Sequence, residues 1–532
     1  MNSLLVLISA LLYVLSFPLW NIGFTAFFAL VPLFVAVENA RSATRGMALG
    51  IAWGALMSTG LGYWLYPTLT NHFNVWPPKA VLFFLICVVL PSCLIYGGVI
   101  LVYRFVYRDH PLWYALVLPS LWTLGEYLKE TIPVLLPWGA IGYAVLPYQR
   151  FVQIADVAGI HGLTFLVVMI NALLWLLWRR ARRKIKKTAT LAVPLALLVL
   201  VTAVPLVYGM IRIKQVQEEI QQKTAVHPPI QAVLVQGNFS LHERWSGMGF
   251  YSRLQAYLEM SAEDTGQMGQ DTEGETEETE TIIEATRARL THAPPDRVIV
   301  WPETTLNVLA HLDDHLFRQI MDFIGDKALL ISGGLMQDEA SGMTMNSAYL
   351  ISGNGMLSRY DKNILLPYAE TSMMFDWIGR YYTAPSEFAP GRTPACIDTP
   401  HGRAGISICF EILYPRYIAR SVSSGADFLV NISNDGWFGN SAMPHMHLYA
   451  ARMRAIENRR FMLRAANNGF SALIAPDGRM VSRTDLFQRQ RIDGDFVYMD
   501  MAAPYTRFGD WLVFFSAIVL GMALLRLVFD KD

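Results

Sequence analysis

Apolar runs dominate this chain and limit what it can become. Seven of them fall between Met1 and about Met210, at roughly Leu4–Phe17, Phe24–Val37, Met47–Leu65, Val81–Val102, Leu112–Leu128, Leu163–Trp178 and Leu191–Tyr208, and an eighth, Trp511–Phe529, nearly closes the sequence. A helix that crosses a bilayer needs about 20 predominantly apolar residues. The first two runs are shorter and suit a tilted or incomplete pair. Composition agrees: 53% of residues are hydrophobic and 16% charged, where a soluble domain carries about 25% charged. A soluble fold of this length could not bury so much apolar surface, so the chain reads as a polytopic α-helical membrane protein of about eight spans. The first run has the look of a signal peptide. It has no basic stretch before it and no small-residue cleavage site, so it reads as a retained helix.

Basic residues in the short loops orient the spans. With a cytoplasmic N-terminus, the inside connections carry Arg41 and Arg45, then Arg104 and Arg108, then the run Arg179 to Lys187, and the tail carries Arg526 and Lys531. The outside loops carry only Lys79, Lys129 and Arg150. The seventh span therefore delivers the chain to the outer face. Lys and Arg number 43, as do Asp and Glu, for a net charge of +0, so no global basic field points to nucleic acid. The four cysteines, Cys87, Cys93, Cys396 and Cys409, are too few for a disulfide scaffold and too scattered for a zinc site. Cys87 and Cys93 read as small buried hydrophobes.

Three parts follow: an N-terminal transmembrane region (1–214), a polar domain (215–503) and a C-terminal transmembrane helix (504–532). The polar domain contains short Val/Ile-rich runs, among them QAVLVQGN, DRVIVWPE, KALLISGG, AGISICFE and ADFLVNISN, each ending in a turn signal. Helical stretches such as His445–Arg460 separate several of them, which predicts a layered α/β domain. Glu263–Glu284, with nine acidic residues, reads as a solvated helix or flexible insertion.

Three strand ends could carry chemistry. VIVWPETT places Glu303 just past an apolar strand, SRYDKNILLPYAE holds Lys362 and Glu370, and GISICFEILYP holds Cys409 and Glu411. Side chains at strand mouths of an open α/β layer can converge on one cleft. A cysteine beside a carboxylate and an amine has the parts of an activated nucleophile. The thiolate attacks, so something must take its proton. Glu303 could be that base, and Lys362 could hold the charge of a tetrahedral intermediate. Singly, each has a plain alternative: a small core Cys, a solvated Lys, a Glu that caps a helix.

The WPE, YDK and CFE segments stand in the order of the nitrilase superfamily, which the sequence resembles. Its members use a Glu-Lys-Cys triad in an αββα sandwich. With seven apolar runs before the domain and one after, the chain more specifically resembles the apolipoprotein N-acyltransferases, on LSFP (Leu15–Pro18), LPWG (Leu136–Gly139), NDGWFG (Asn434–Gly439) and ARMRAIENRR (Ala451–Arg460). The resemblance implies Glu303 as general base, Lys362 as oxyanion-stabilising residue and Cys409 as nucleophile. It implies supporting roles for Glu370 and Glu411, and places Asn346 and Trp245 along the site. Where the family has a Tyr-Val-Pro-like run after the position of Glu370, this chain has Thr371-Ser372-Met373, which puts lid shape and substrate preference in question.

The implied reaction moves an acyl chain from a phospholipid to Cys409 as a thioester, then to the α-amine of a diacylglyceryl-modified N-terminal cysteine of an apolipoprotein. It needs no metal or organic cofactor. The implied setting is the bacterial inner membrane, with the catalytic domain on the periplasmic side. A membrane-anchored amidase using water, and a non-catalytic membrane scaffold, are the alternatives. Within the membrane region, Pro137–Gly162 reads as an irregular stretch beneath the catalytic domain, with Trp138, Tyr143 and Tyr148 as interface anchors or, more sharply, as substrate contacts. Glu126 lies inside a span, so it must face protein or water: a functional group, or one bonded to Trp122 or Tyr127.

Overall fold

A computed structural model describes residues 1–107, 110–132, 135–182, 188–240, 249–262, 297–309, 314–324, 328–338, 341–367, 369–371, 388–392 and 396–529. Trp245, the acidic stretch Glu263–Glu284 and Ser372–Met374 lie outside the described residues. Apolar helices come first: α1 (Asn2–Leu15), α2 (Val31–Glu38), α3 (Ala43–Gly62), α4 (Pro77–Val106), α5 (Pro111–Thr131), α6 (Ala155–Arg182) and α7 (Thr188–Val226). α4 passes through a π-turn at Leu85–Val89 just before Pro91, whose ring nitrogen cannot donate to the helical ladder.

Among the described residues, three helices are long and apolar enough to cross a bilayer: Pro77–Val106, Ala155–Arg182 and Leu191–Val226. Asn2–Leu15, Gly23–Glu38 and Trp511–Leu527 are apolar but shorter. A count of eight spans goes beyond what helix length and composition carry. Outward faces are apolar: Phe514, Ile518, Met522 and Leu525 of the last helix are 55–68% exposed, and Leu195, Val199, Val204 and Ile211 of α7 are exposed too. Such a girdle would be a liability in water.

Inside the bundle, Trp53 meets the rings of Tyr13, Tyr96 and Trp122 at 5.1, 4.8 and 5.1 Å. Glu126 lies beside this cluster. It pairs with Lys129 and accepts from Tyr96 Oη at 2.5 Å, so its partners are neither Trp122 nor Tyr127. Lys129, read from sequence as a loop charge, is buried in the last turn of α5 and donates to the Trp138 carbonyl at 3.2 Å. The pair meets the cost of buried charge by mutual neutralisation and ties α5 to the LPWG segment.

α7 is continuous from Thr188 to Val226, about 58 Å at 1.5 Å per residue. It carries the chain out of the apolar layer directly to the first strand. Two six-stranded sheets follow. One has the order β12-β1-β2-β3-β4-β5: Gln490–Phe496, Ile230–Gln236, Arg297–Leu309, Ala328–Gln337, Thr344–Ser352 and Gly355–Asp361. The other runs β11-β10-β9-β8-β7-β6: Met480–Arg483, Ala472–Ile474, Met462–Ala466, Phe428–Ser433, Gly402–Ile408 and Cys396–Thr399. β1, β2 and β3 are parallel, as are β7, β8 and β9. Alternation along the strands sends Leu234, Val300 and Ile331 inward against Ile408, Ile432 and Leu463 of the facing sheet. Val233, Ile299 and Leu330 point outward under α8 (Phe250–Ser261) and α9 (Asp314–Ile324). On the other side lie α10 (Pro415–Ser423) and α11 (Ala442–Asn458), whose buried residues merge with the core of the membrane helices. The layers are helix, sheet, sheet, helix: the expected αββα sandwich.

α11 forms the seam with the helical bundle. Arg459, in left-handed backbone at its end (φ 52°), donates to Asp156 Oδ2 at 2.9 Å and to Gln153 Oε1 at 2.6 Å. Arg212 and Tyr208 of α7 bind the same Asp156 carboxylate. Glu457 accepts the Ile160 N–H at 2.8 Å, and Arg454 donates to Tyr143 Oη at 3.2 Å. α6 kinks at Gly159 (φ 65°), where any Cβ would collide with the Tyr505 ring. The irregular stretch before α6 thus lies against the α/β domain, and ARMRAIENRR is the segment that grips it.

Candidate active site

Glu303, Lys362 and Cys409 each sit at a break in strand pairing or just past a strand's end. Glu303 lies within β2, past the point where regular pairing with β3 shifts after Trp301. The next residue, Thr304, has φ 51°, a conformation that a β-branched residue adopts only under strain. A Cβ on the neighbouring Gly333 would lie 2.5 Å from Glu303 Cα, so glycine is required there. Lys362 follows β5 directly. Its N–H donates to Asn346 O and its carbonyl accepts from Gly391 N, both at 2.8 Å. Cys409 ends β7 and opens a 3₁₀ turn, Cys409–Leu413, with φ 51°. Strained backbone at the residue after Glu303 and at Cys409 itself accompanies the turn of both side chains toward one cavity.

There Lys362, 1% exposed, lies between two carboxylates. Its Nζ donates to Glu370 Oε1 at 2.8 Å and stands 3.6 Å from Glu303 Oε1. Asn346 bridges the same pair, its Nδ2 donating to Glu303 at 2.7 Å and to Glu370 at 3.2 Å. Glu370 is fixed in turn by the Leu366 N–H at 2.7 Å. Burial works against the Lys362 ammonium, but Glu370, Glu303 and the Cys409 sulfur outweigh it and raise its pKa, so the amine stays charged. Burial raises the Cys409 pKa well above that of an ordinary thiol, Glu303 raises it further, and Lys362 pulls the other way. The resting group is therefore a thiol.

Glu411 stands behind Cys409. Its carboxylate accepts from the backbone N–H groups of Asn363, Ile364 and Ile408 at 2.7, 2.9 and 2.8 Å, and from Tyr360 Oη at 2.7 Å. Burial pushes its pKa up to about 7, against the pull of those donors. One side chain thereby locks the loop after Lys362 to the residue before Cys409.

Glu303, Asn346, Lys362, Glu370 and Cys409 line a cavity of about 540 Å³, within the usual range for a ligand pocket. The rest of its wall is largely apolar and comes from both parts of the chain. Trp64, Leu69, Phe73, Phe83, Leu136 and Trp138 belong to the helical region, and Phe388, Phe410, Trp437, Phe438 and Met443 to the α/β domain. Trp138 is thus a cavity residue, while Tyr143 is buried in the seam. Cys396, in β6, is free and lies outside this cavity.

Sequence reasoning passed over one cluster in the same wall. Asp435, of NDGWFG, accepts from Arg464 at 2.8 Å, from Ser433 at 2.8 Å and from His447 Nδ1 at 2.9 Å. Burial opposes its charge, but Arg464 and His447 overcome this and hold its pKa at about 2. The signal available was an Asp in a strand-end motif followed by a His on a helix, which spacing alone does not pair.

Residues 265–502 match the family model described as carbon-nitrogen hydrolase, and residues 9–173 match that of the apolipoprotein N-acyltransferase N-terminal domain. Among similar proteins, one from Geobacter metallireducens named apolipoprotein N-acyltransferase is 27% identical over 98% of this chain and 94% of its own length. One of the same name from Haemophilus ducreyi is 26% identical over 96% and 93%.

Proposed function

Since the chain belongs to the apolipoprotein N-acyltransferase family, we propose that it moves an acyl chain from a phospholipid, through a thioester on Cys409, to the α-amine of the diacylglyceryl-cysteine that begins an apolipoprotein. As the Cys409 sulfur attacks the donor ester, Glu303 takes the thiol proton. The resulting oxyanion is stabilised by the Lys362 ammonium. The lysophospholipid alkoxide leaves with the proton from Glu303. The acceptor amine then attacks the thioester and gives a proton to Glu303; as the C–S bond breaks and the amide forms, Glu303 returns that proton to the departing sulfur, restoring the thiol and the carboxylate. Exchange of a thioester for an amide runs downhill.

The observation that carries this reading is the joint wall of the cavity. A thiol with its base and its cation opens onto an apolar chamber, part of whose wall is built by the helical region. A hydrolase of small amides has no use for that part. An acyl chain does, and burying each of its methylenes is worth about 0.8 kcal/mol. The same apolar wall would keep water from the thioester.

The reading extends to the setting: eight spans, the division at 214/215 and 503/504, an inner-membrane location and a periplasmic α/β domain. Support comes from the basic loops and from the apolar outer faces of the helices. Mass spectrometry of the purified protein incubated with phospholipid tests the chemistry. An acyl adduct on Cys409 that a diacylated peptide discharges, present in Cys396→Ala and lost in Cys409→Ala, is expected. An adduct that decays in water equally fast with or without peptide would make the protein an amidase-type hydrolase.

A further inference from the structure

The cavity holds a second polar device that neither half-reaction, as written above, employs. His447, on α11, is fully buried and lines the same chamber as Cys409. Its Nδ1 lies 2.9 Å from Asp435 Oδ1. Asp435 is itself held by Arg464 and Ser433, so its carboxylate is fixed in place and ionised. An ionised carboxylate can only accept, so Nδ1 carries the imidazole proton. In the neutral ring, Nε2 then presents a lone pair. That atom is buried and has no hydrogen-bond partner among the described residues. Phe438, another cavity residue, packs edge-on against the ring at 5.6 Å.

A buried acceptor without a donor costs about 1–3 kcal/mol. A five-residue assembly that holds one in place therefore points to a donor that arrives with substrate. The chemistry of the reactants narrows the choice. The reacting ester, the thioester and the acyl chain have no N–H or O–H to offer, and a donor's head-group hydroxyls are not part of the bond being made or broken. The acyl acceptor has one by necessity, since an amine is its reacting group.

We propose that Nε2 of His447 receives an N–H of the acceptor's α-amine, orienting that nitrogen toward the thioester in the second half-reaction. The inference rests on the proposed acyl transfer. Glu303 still takes the proton; His447 sets the direction from which the amine approaches and favours an amine over water, which brings no apolar anchor to hold it at that point. Asp435, Arg464 and Ser433 act through the imidazole, as positioning residues.

Two substitutions separate this role from a structural one. In His447→Asn the side-chain amide reaches the Nδ1 position and keeps the bond to Asp435, but nothing occupies the Nε2 position. In His447→Gln the amide reaches the Nε2 position and the bond to Asp435 is lost. Full-length protein in detergent is acylated in a single turnover with phosphatidylglycerol, a donor lipid without N–H groups. A synthetic diacylglyceryl-cysteinyl peptide with a free α-amine is then added, and loss of the Cys409 adduct is followed by intact mass. Relative to its own acylation rate, His447→Asn should transfer about ten- to hundred-fold more slowly than wild type, the value of a lost hydrogen bond to a charged or developing-charge donor, and need more peptide for half-saturation. His447→Gln should recover part of that loss. Transfer by His447→Asn at the wild-type rate, or His447→Gln as the worse of the two, overturns the inference and assigns His447 to structure. Should His447→Asn not fold, transfer by His447→Gln slower than hundred-fold overturns it alone. A wild-type protein that forms no adduct, or whose adduct the peptide does not discharge, instead brings down the acyltransfer reading, and this inference with it.

Discussion

Glu370 is the residue whose replacement best tests how the site works. It touches Lys362 and Asn346, with no direct contact to Cys409. At an effective dielectric of about 20, a unit charge pair attracts by about 6 kcal/mol at the 2.8 Å of Lys362–Glu370 and about 5 kcal/mol at the 3.6 Å of Lys362–Glu303. The two carboxylates therefore compete for the ammonium on nearly equal terms, and Lys362 is centred by that competition. Glu370→Gln removes one side. The ammonium then draws to Glu303 and engages the base. Losing one partner of a buried pair costs about 3–5 kcal/mol of stability. Misplacing an oxyanion donor should slow adduct formation on Cys409 by about a hundredfold. The assay is a cycle of Glu370→Gln, Lys362→Met and the double variant, each followed by thermal unfolding in detergent and by single-turnover acylation. If Glu370 acts through Lys362, the double variant loses little more stability than the worse single one. Losses that add to within about 0.5 kcal/mol mean independent residues and refute the argument, as does wild-type acylation by Glu370→Gln.

Three further expectations follow from the same geometry. Asp435 is held at about 2 from an ordinary 3.8, so its contribution, about 2 kcal/mol by linkage, is present above pH 4 and is lost as pH falls through 2. Melting between pH 5 and 3 should show a smaller acid-dependent loss in Asp435→Asn than in wild type, from a lower starting point; parallel curves would count against a depressed carboxyl. At the seam, Arg459→Met leaves Asp156 with only Arg212 and Tyr208 and should cost about 3 kcal/mol, with Asp156→Asn in the same chain restoring part of the melting temperature. Reporter fusions at Asn354 and Lys184 should signal opposite compartments, and a cytoplasmic signal at Asn354 would reverse the orientation drawn from the basic loops.

Much of this protein is written locally. Apolar runs, basic loops, and Val/Ile segments closed by turn residues are properties of neighbours in sequence, so the apolar helices and the strands of a layered α/β domain were legible without coordinates, while the two-sheet sandwich came from the family resemblance. Glu303, Lys362 and Cys409 stood out as candidates because each stands beside a strand end within its own short motif, and their roles came from the family resemblance rather than from spacing. What packing alone decided are the pairings between distant segments. Nothing near Glu370 says that it shares Lys362 with Glu303, because that contact depends on β2 and β5 lying in one sheet on either side of β3 and β4. Glu411 carries no mark of the four donors that converge on it from two loops. Lys129 looked like a loop charge because sequence gives no depth; only the bundle shows it buried against Glu126. Asp156 and Arg459 stand 303 positions apart, and their ion pair exists because the α/β layer seats on the irregular stretch before α6. A polar side chain becomes a partner, a base or an anchor according to what the fold sets across from it and how much water it removes, and neither can be read one residue at a time.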